Sequence, residues 1–226
     1  KSTKLAVLAK TDKYTIAQGC CSDGTYIYGV IRKSDNSGVI IRKHKLSDGS
    51  YVATSKELPL FHGNDLTYDS KNGRIVCAPG QSQGGQLIFI DPNTLTVTGS
   101  VKLTTSAGAI TYNRKYDRYA ISRGGKTLEI LNSNFEVIAS YTRTDKTGYT
   151  AQGMGSDDNY IYFPMSKDDK QNVIVVYDWY GNYIRTIQSD VTREAESMFW
   201  VNGRYYFAHN YYKEGMNVWE GKFSIT

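Results

Sequence analysis

The chain has 226 residues, enough for one domain with a real core or for two small ones. Hydrophobic residues make up 40% and charged residues 22%, and no apolar run approaches the roughly 18 residues of a bilayer-spanning helix, so membrane insertion is not expected. The net charge of +5 comes from basic residues scattered through the chain without a run of five, which argues against nucleic acid as a partner and leaves an acidic surface or glycan permitted.

No window keeps apolar residues at helical spacing for three turns. Short alternating runs rich in Tyr, Thr, Ile and Val, bounded by Gly, Asn, Asp and Ser, predict strands throughout. The 19 Tyr against 7 Phe are unusual in such a chain.

In chain order, a strand is predicted at the start of KLAVLAKTDKYTIAQG, Lys4 to Gly19. A hairpin follows in AQGCCSDGTYIYG, with strands VIIRKHKL and YVATSKEL after it. The same plan recurs as GNDLTYDSKNGRIVC with QLIFI and VTGSVKL, then as AGAITYNRKYDRYAI with TLEIL and EVIASYTR. It recurs again as AQGMGSDDNYIYF with NVIVVYD and YIRTIQS, and last as AESMFWVNGRYYF with NVWEGKF. The hairpins begin at Ala17, Gly63, Ala107, Ala151 and Ala195, 46 residues apart and then 44 three times over. Four strands per repeat of this length is the pattern of a propeller blade.

The last repeat lacks a fourth strand. Its substitute lies at the other end, because Lys4 to Gly19 parallels IASYTRTDKTGYTAQG at Ile138 to Gly153, whose first strand is an outer one. The expectation is therefore all-β: a five-bladed β-propeller of four-stranded blades over residues 1–226, with the N-terminal strand completing the last blade and removing its open edge.

Aligning the repeats separates shared positions from variable ones. The first position is always small (Ala17, Gly63, Ala107, Ala151, Ala195), as expected of strands converging on a narrow axis. The fourth is Cys20, Leu66, Ile110, Met154 and Met198, an apolar set that predicts packing between blades. The second is Gln18, Asn64, Gly108, Gln152 and Glu196, four polar groups and one gap. Such groups satisfy one another or hold water, or they converge on a small polar ligand or ion. Glu196 is the ring's one carboxylate and the candidate general base if there is catalysis.

Chain direction puts the turns within hairpins on one face and the longer connections on the other: KTDKYTI, RKSDNSG, KELPLFHG, PGQSQGG, SRGGK, RTDKTGYT, SKDDKQ, SDVTRE and HNYYKEGM. Long loops on a rigid scaffold form the expected binding rim. Candidates there are Tyr14, Arg32, His62, Arg123, Tyr149, Lys167, Arg193, Glu194, His209, Tyr211 and Tyr212, and tyrosines on such a rim suit a glycan or a peptide. His44, His62 and His209 lack metal-ligand spacing, and Asp157, Asp158, Asp168 and Asp169 sit in turns, so no metal or other cofactor is expected. Cys20, Cys21 and Cys77 do not make a disulfide framework, and Cys20 and Cys77 align with core positions.

The hairpins NDLTYDSKNGRIVCA and EAESMFWVNGRYYFAHN, with AQG before an apolar residue, resemble the inner strands of plant-type glutaminyl cyclases. That resemblance implies a five-bladed propeller whose ring glutamate, here Glu196, acts with polar neighbours on an N-terminal glutaminyl residue as an acyltransferase. The residues themselves favour a non-enzymatic propeller that recognises a glycan, peptide or cell-wall component, or a structural module of a larger surface protein. The start at Lys1 without Met is read as that of a mature secreted chain or a trimmed one. An extracellular or cell-surface monomer is the expectation.

Overall fold

The computed structural model describes residues 1–80 and 85–225. Among them are five antiparallel sheets and no helix. Blade one comprises Ile16–Ser22, Tyr26–Arg32, Val39–Lys45 and Tyr51–Thr54; blade two Asp65–Asp69, Arg74–Ala78, Gln86–Ile90 and Val97–Lys102; blade three Ala109–Asn113, Arg118–Ser122, Thr127–Leu131 and Val137–Thr142. Blade four pairs a broken inner strand, Thr150–Ala151 and Gly155–Ser156, with Tyr160–Lys167, Gln171–Asp178 and Tyr183–Gln188. In blade five Glu194–Val201, Arg204–Tyr211 and Gly215–Gly221 are completed by Ser2–Ala9, antiparallel to the third strand from Ser2 opposite Gly221 to Ala9 opposite Gly215. The inner strands of successive blades touch in sequence and the last touches the first, so the sheets close into a five-bladed β-propeller. The expected four-stranded blades and the N-terminal closure are both present.

Each blade is apolar on the faces it turns to its neighbours, giving five core clusters around the ring. The fourth-position residues Cys20, Leu66, Ile110, Met154 and Met198 are buried in them. All three cysteines are free and buried, and burial pushes their thiols upward, which leaves them inert.

The tyrosine surplus has a structural use. A buried Tyr fills core volume while its hydroxyl reaches a turn aspartate at the blade's end, so the ring packs and the phenol keeps a partner. Tyr28 donates to Asp23 at 2.8 Å and Tyr162 to Asp157 at 2.5 Å within their own hairpins. Tyr119 of blade three reaches Asp69 of blade two at 2.8 Å, and Tyr205 of blade five reaches Asp157 of blade four at 2.5 Å. Those two bonds tie neighbouring blades together.

Candidate functional site on the axis and its cleft

The strands meet on the axis at the third position of the repeat, not the first. That position holds Gly19, Asp65, Ala109, Gly153 and Ser197, small everywhere except at Asp65. A Cβ on Gly19 would lie 2.7 Å from the Asp65 backbone, and one on Gly153 would collide with the Glu196 carbonyl. Smallness at the first position answers to packing between blades instead: a Cβ on Gly63 would come within 2.6 Å of Val30.

Asp65 is fully buried and its side chain plugs the axis. Oδ1 accepts from the Leu66 amide at 3.0 Å and the Ser197 hydroxyl at 2.6 Å; Oδ2 accepts from the amides of Ile110 at 3.0 Å and Met154 at 3.1 Å. One carboxyl thus joins blades two, three, four and five. Burial pushes it up to about 8 against the pull of these donors. Sequence reading passed over Asp65, although a visible signal was there: it is the one large residue in an otherwise small column.

The second-position side chains lie above this plug towards the long-loop face. In three blades they sit where the inner ladder slips register: between Ala17 and Cys20, between Ala195 and Ser197, and across the break from Ala151 to Gly155. A bulge re-aims the side chain it carries, and here the bulges carry Gln18, Glu196 and Gln152. Gln18 is buried and donates to the Ala17 carbonyl at 2.7 Å. Asn64 donates to the carbonyls of Gly108 and, at 3.4 Å, Gln152. Gln152 donates to Glu194 Oε1 at 3.1 Å, and the Glu194 and Glu196 carboxyl groups share a hydrogen bond.

Burial, followed by the charge of Glu194, pushes Glu196 well above the carboxylate range, so Glu196 holds the shared proton. Burial also raises Glu194, while its bond to Glu196 and the Arg32 guanidinium draw it back. Arg32 is itself lowered by burial and has no partner for Nε; His62 beside it has none for Nδ1 and is pushed down to about 4 by burial and by Arg32. The fold therefore links Asn64, Gln152, Glu194 and Glu196 in one axial cluster, with Arg32 beside the two carboxyl groups and His62 beside Arg32, while Gln18 bonds to its own strand.

A cleft of about 830 Å³ opens on the long-loop face between blades three and four, with Asn64, Gly108 and Gln152 at its inner end. Gly108 is the gap in the polar ring, and among the described residues a Cβ there would meet only Asn64 Nδ2 at 3.6 Å and the Ser122 carbonyl at 3.9 Å. The expected room on that side of the axis is present. Arg123 lines the cleft, held by Glu129 and by Thr105, whose carbonyl accepts at 2.5 Å and whose Oγ1 accepts at 2.6 Å. Tyr149 lines it too, its hydroxyl donating to Gln171 at 3.0 Å.

Three further cations of the cleft were not singled out from sequence: Lys126, Arg143 and Lys146. Arg143 pairs with Asp145 at 3.0 Å and Lys126 donates to the Asp145 carbonyl. Among the described residues, Lys126 and Lys146 have no carboxylate partner.

The other rim candidates lie apart from the cleft. Tyr211 lies beneath the Arg193 guanidinium, 4.0 Å from ring centre to Cζ, and His209 is buried with Nδ1 3.0 Å from the Arg193 carbonyl. Tyr14 packs in the first core cluster beneath Lys33, whereas Lys167 and Tyr212 are exposed. Positions 81–84 of the PGQSQGG loop lie outside the described residues. Among the described residues no group of three or more His, Cys, Asp or Glu is placed to hold a metal ion, and no helix is long and apolar enough to cross a membrane.

No protein-family model matches this sequence, and no curated protein matches it. Among solved structures, the chain is similar to the β-propeller domain of Myceliophteria thermophila Cps50 (Swd1), with 9% identity, coverage of 98% of this chain and 100% of that one, and a TM-score of 0.52. Kuenenia stuttgartiensis hydrazine synthase matches at 10% identity and a TM-score of 0.49, over 89% of this chain and 57% of the other. The chain thus spans little more than half the length of that second protein. At such identities the likeness is one of fold, and the fold is a β-propeller.

Proposed function

We propose that the protein is a binding module that takes an extended, carboxylate-bearing ligand, a peptide or a glycan, in the cleft between blades three and four. The supporting observation is that the cleft enters the axial ring at Gly108, its one gap, so that a ligand's innermost polar group comes to lie between the amides of Asn64 and Gln152. The size suits a small or extended ligand. Charge supports an acidic one: Arg123 and Arg143 are matched by Glu129 and Asp145, leaving Lys126 and Lys146 in surplus. An extracellular or cell-surface setting belongs to the same reading.

Calorimetric titration with hexagalacturonate, a hexaglutamate peptide and their neutral counterparts tests it. The acidic probes bind, one source more tightly than the other, and Lys146→Ala and Gln152→Ala each weaken the complex. Absence of binding by both acidic probes, or equal binding of the neutral ones, sinks the reading.

A second reading is supported by the Glu194 and Glu196 pair. Two carboxyl groups sharing a proton, with one pushed well above the carboxylate range by burial, is the arrangement general acid catalysis uses. Glutaminyl-cyclase-like turnover would then depend on Glu196. Release of ammonia from a Gln-initiated peptide, abolished in Glu196→Gln, would establish it; no turnover by the unaltered protein would remove it.

A further inference from the structure

The opposite face, built from the short hairpin turns, carries a groove of about 380 Å³ between blades three and four. Its walls include Tyr116, Trp179 and Tyr180, and Tyr180 is 75% and Tyr116 51% exposed. Trp179 also packs against the third core cluster, whereas the fold does not ask for the exposed Tyr116 and Tyr180. In blade four the turn is held by Asp178, whose Oδ1 accepts from the amides of Tyr180 and Asn182, both at 2.9 Å. Asp91 does the same for Asn93 and Thr94 in blade two, and Asn132 for Asn134 and Glu136 in blade three, with Pro92-Asn93 and Ser133-Asn134 at the turn tips. Only blade four puts Trp and Tyr there.

Three polar side chains of the groove are free, while Asp178 is occupied by its own turn. The side chains of Arg118, Asp158 and Asn159 have no hydrogen-bond or ion-pair partner among the described residues. Trp179 Nε1 already donates to the Asp157 carbonyl at 3.4 Å, so the indole offers its face and not its N–H. Asp158 also borders an inner depression of about 250 Å³ on the same face, beside Trp200, so the groove continues inward beyond a single ring's length.

We propose that this groove is a second binding site, for a neutral oligosaccharide, on the face opposite the acidic-ligand cleft. A sugar ring has an apolar face that stacks on Tyr180 and Trp179, and hydroxyls that donate to Asp158 and accept from Arg118 and Asn159. A proline-rich peptide would also stack, but its carbonyls are acceptors. Asp158 would then be desolvated without a donor, which is costly for a carboxylate. The single cation Arg118 against Asp158 and Asp178 gives no attraction for an acidic chain.

The test is calorimetry, with tryptophan fluorescence, on unbranched hexasaccharides of glucose, mannose and N-acetylglucosamine, alongside a proline-rich decapeptide. At least one hexasaccharide binds and shifts the emission, and Tyr180→Ala and Asp158→Ala each weaken it about tenfold or more, the scale of one lost stacking or charged contact. Tyr180 is exposed, so its variant keeps the parental unfolding midpoint; Tyr51→Ala, at an exposed Tyr on blade one, leaves sugar binding unchanged. Tyr180→Ala also retains whatever binding hexagalacturonate shows, which separates this site from the cleft. Silence from all three sugars, equal affinity in Tyr180→Ala, or Tyr180-dependent binding of the decapeptide alone overturns the proposal.

Discussion

At Asp65 two carboxyl oxygens receive four donors from four blades. Asp65→Ala removes the acceptor of all four donors in either protonation state of the carboxyl. Each donor left without an acceptor costs about 1–3 kcal/mol, so urea unfolding of this variant shifts by several kcal/mol. The sign of the pH dependence follows from the same burial. Asp65 and Glu196 keep their protons in the folded chain at pH values where the unfolded chain has lost them, so their contribution is fully present at low pH and is lost as pH rises towards the folded value, about 8 for Asp65. His62 and His209, both pushed down to about 4, act oppositely: what they contribute is lost as pH falls from about 6.5 towards 4. The two contributions offset each other between about pH 4.5 and 6.5 and only the carboxyl loss remains above that range, so stability is level up to about pH 6.5 and falls from there to about pH 8. Glu196→Gln, near in shape to the protonated acid, flattens that fall. A melting temperature that rises from pH 6.5 to 8, or the same slope in Glu196→Gln, contradicts the assignment.

At the scale of the element, the N-terminal strand is a staple. Leu8 is fully buried between Gly29 and Met216, and Ser2–Ala9 covers the edge of Gly215–Gly221. Leu8→Ala lowers stability by about 2–5 kcal/mol. Deleting residues 1–9 bares a strand edge, so the shortened protein aggregates at concentrations where the parent does not, as light scattering would record. An unchanged urea midpoint for Leu8→Ala speaks against closure through this strand. Strand count, blade phasing and closure were legible because hydrophobic alternation and turn chemistry repeat every 44 residues, and a repeat is a sequence property. The inner strands were legible only in part. Bulges at Gln18, Gln152 and Glu196 leave no mark in alternation, and without them the position facing the axis is read two places too early. That slip hid Asp65. The other cations of the cleft were hidden for another reason: Lys126, Arg143 and Lys146 join Arg123 from two loops that only the ring's curvature brings together.

At the scale of the whole molecule, the shared residues build a ring and the departures from the repeat mark its two proposed binding sites. Gly108 breaks the polar column on the long-loop face, and Trp179 and Tyr180 put aromatics at a turn tip on the other. Binding in the cleft uses surplus positive charge, so affinity for hexagalacturonate or hexaglutamate falls as salt shortens the screening length from about 30 Å at 0.01 M to about 8 Å at 0.15 M. Stacking in the opposite groove is far less sensitive, and titrations at two ionic strengths would tell the two sites apart. The central claim is that the gap at Gly108 is the entrance to the axial amides. Gly108 has room for a side chain, and Gln is what blades one and four carry at the same position. The decisive measurement is calorimetric titration of Gly108→Gln with the acidic probe that binds the parent protein. The account predicts at least about a tenfold loss of affinity, or 1.4 kcal/mol, at an unchanged unfolding midpoint. Parental affinity in the plugged ring would contradict it.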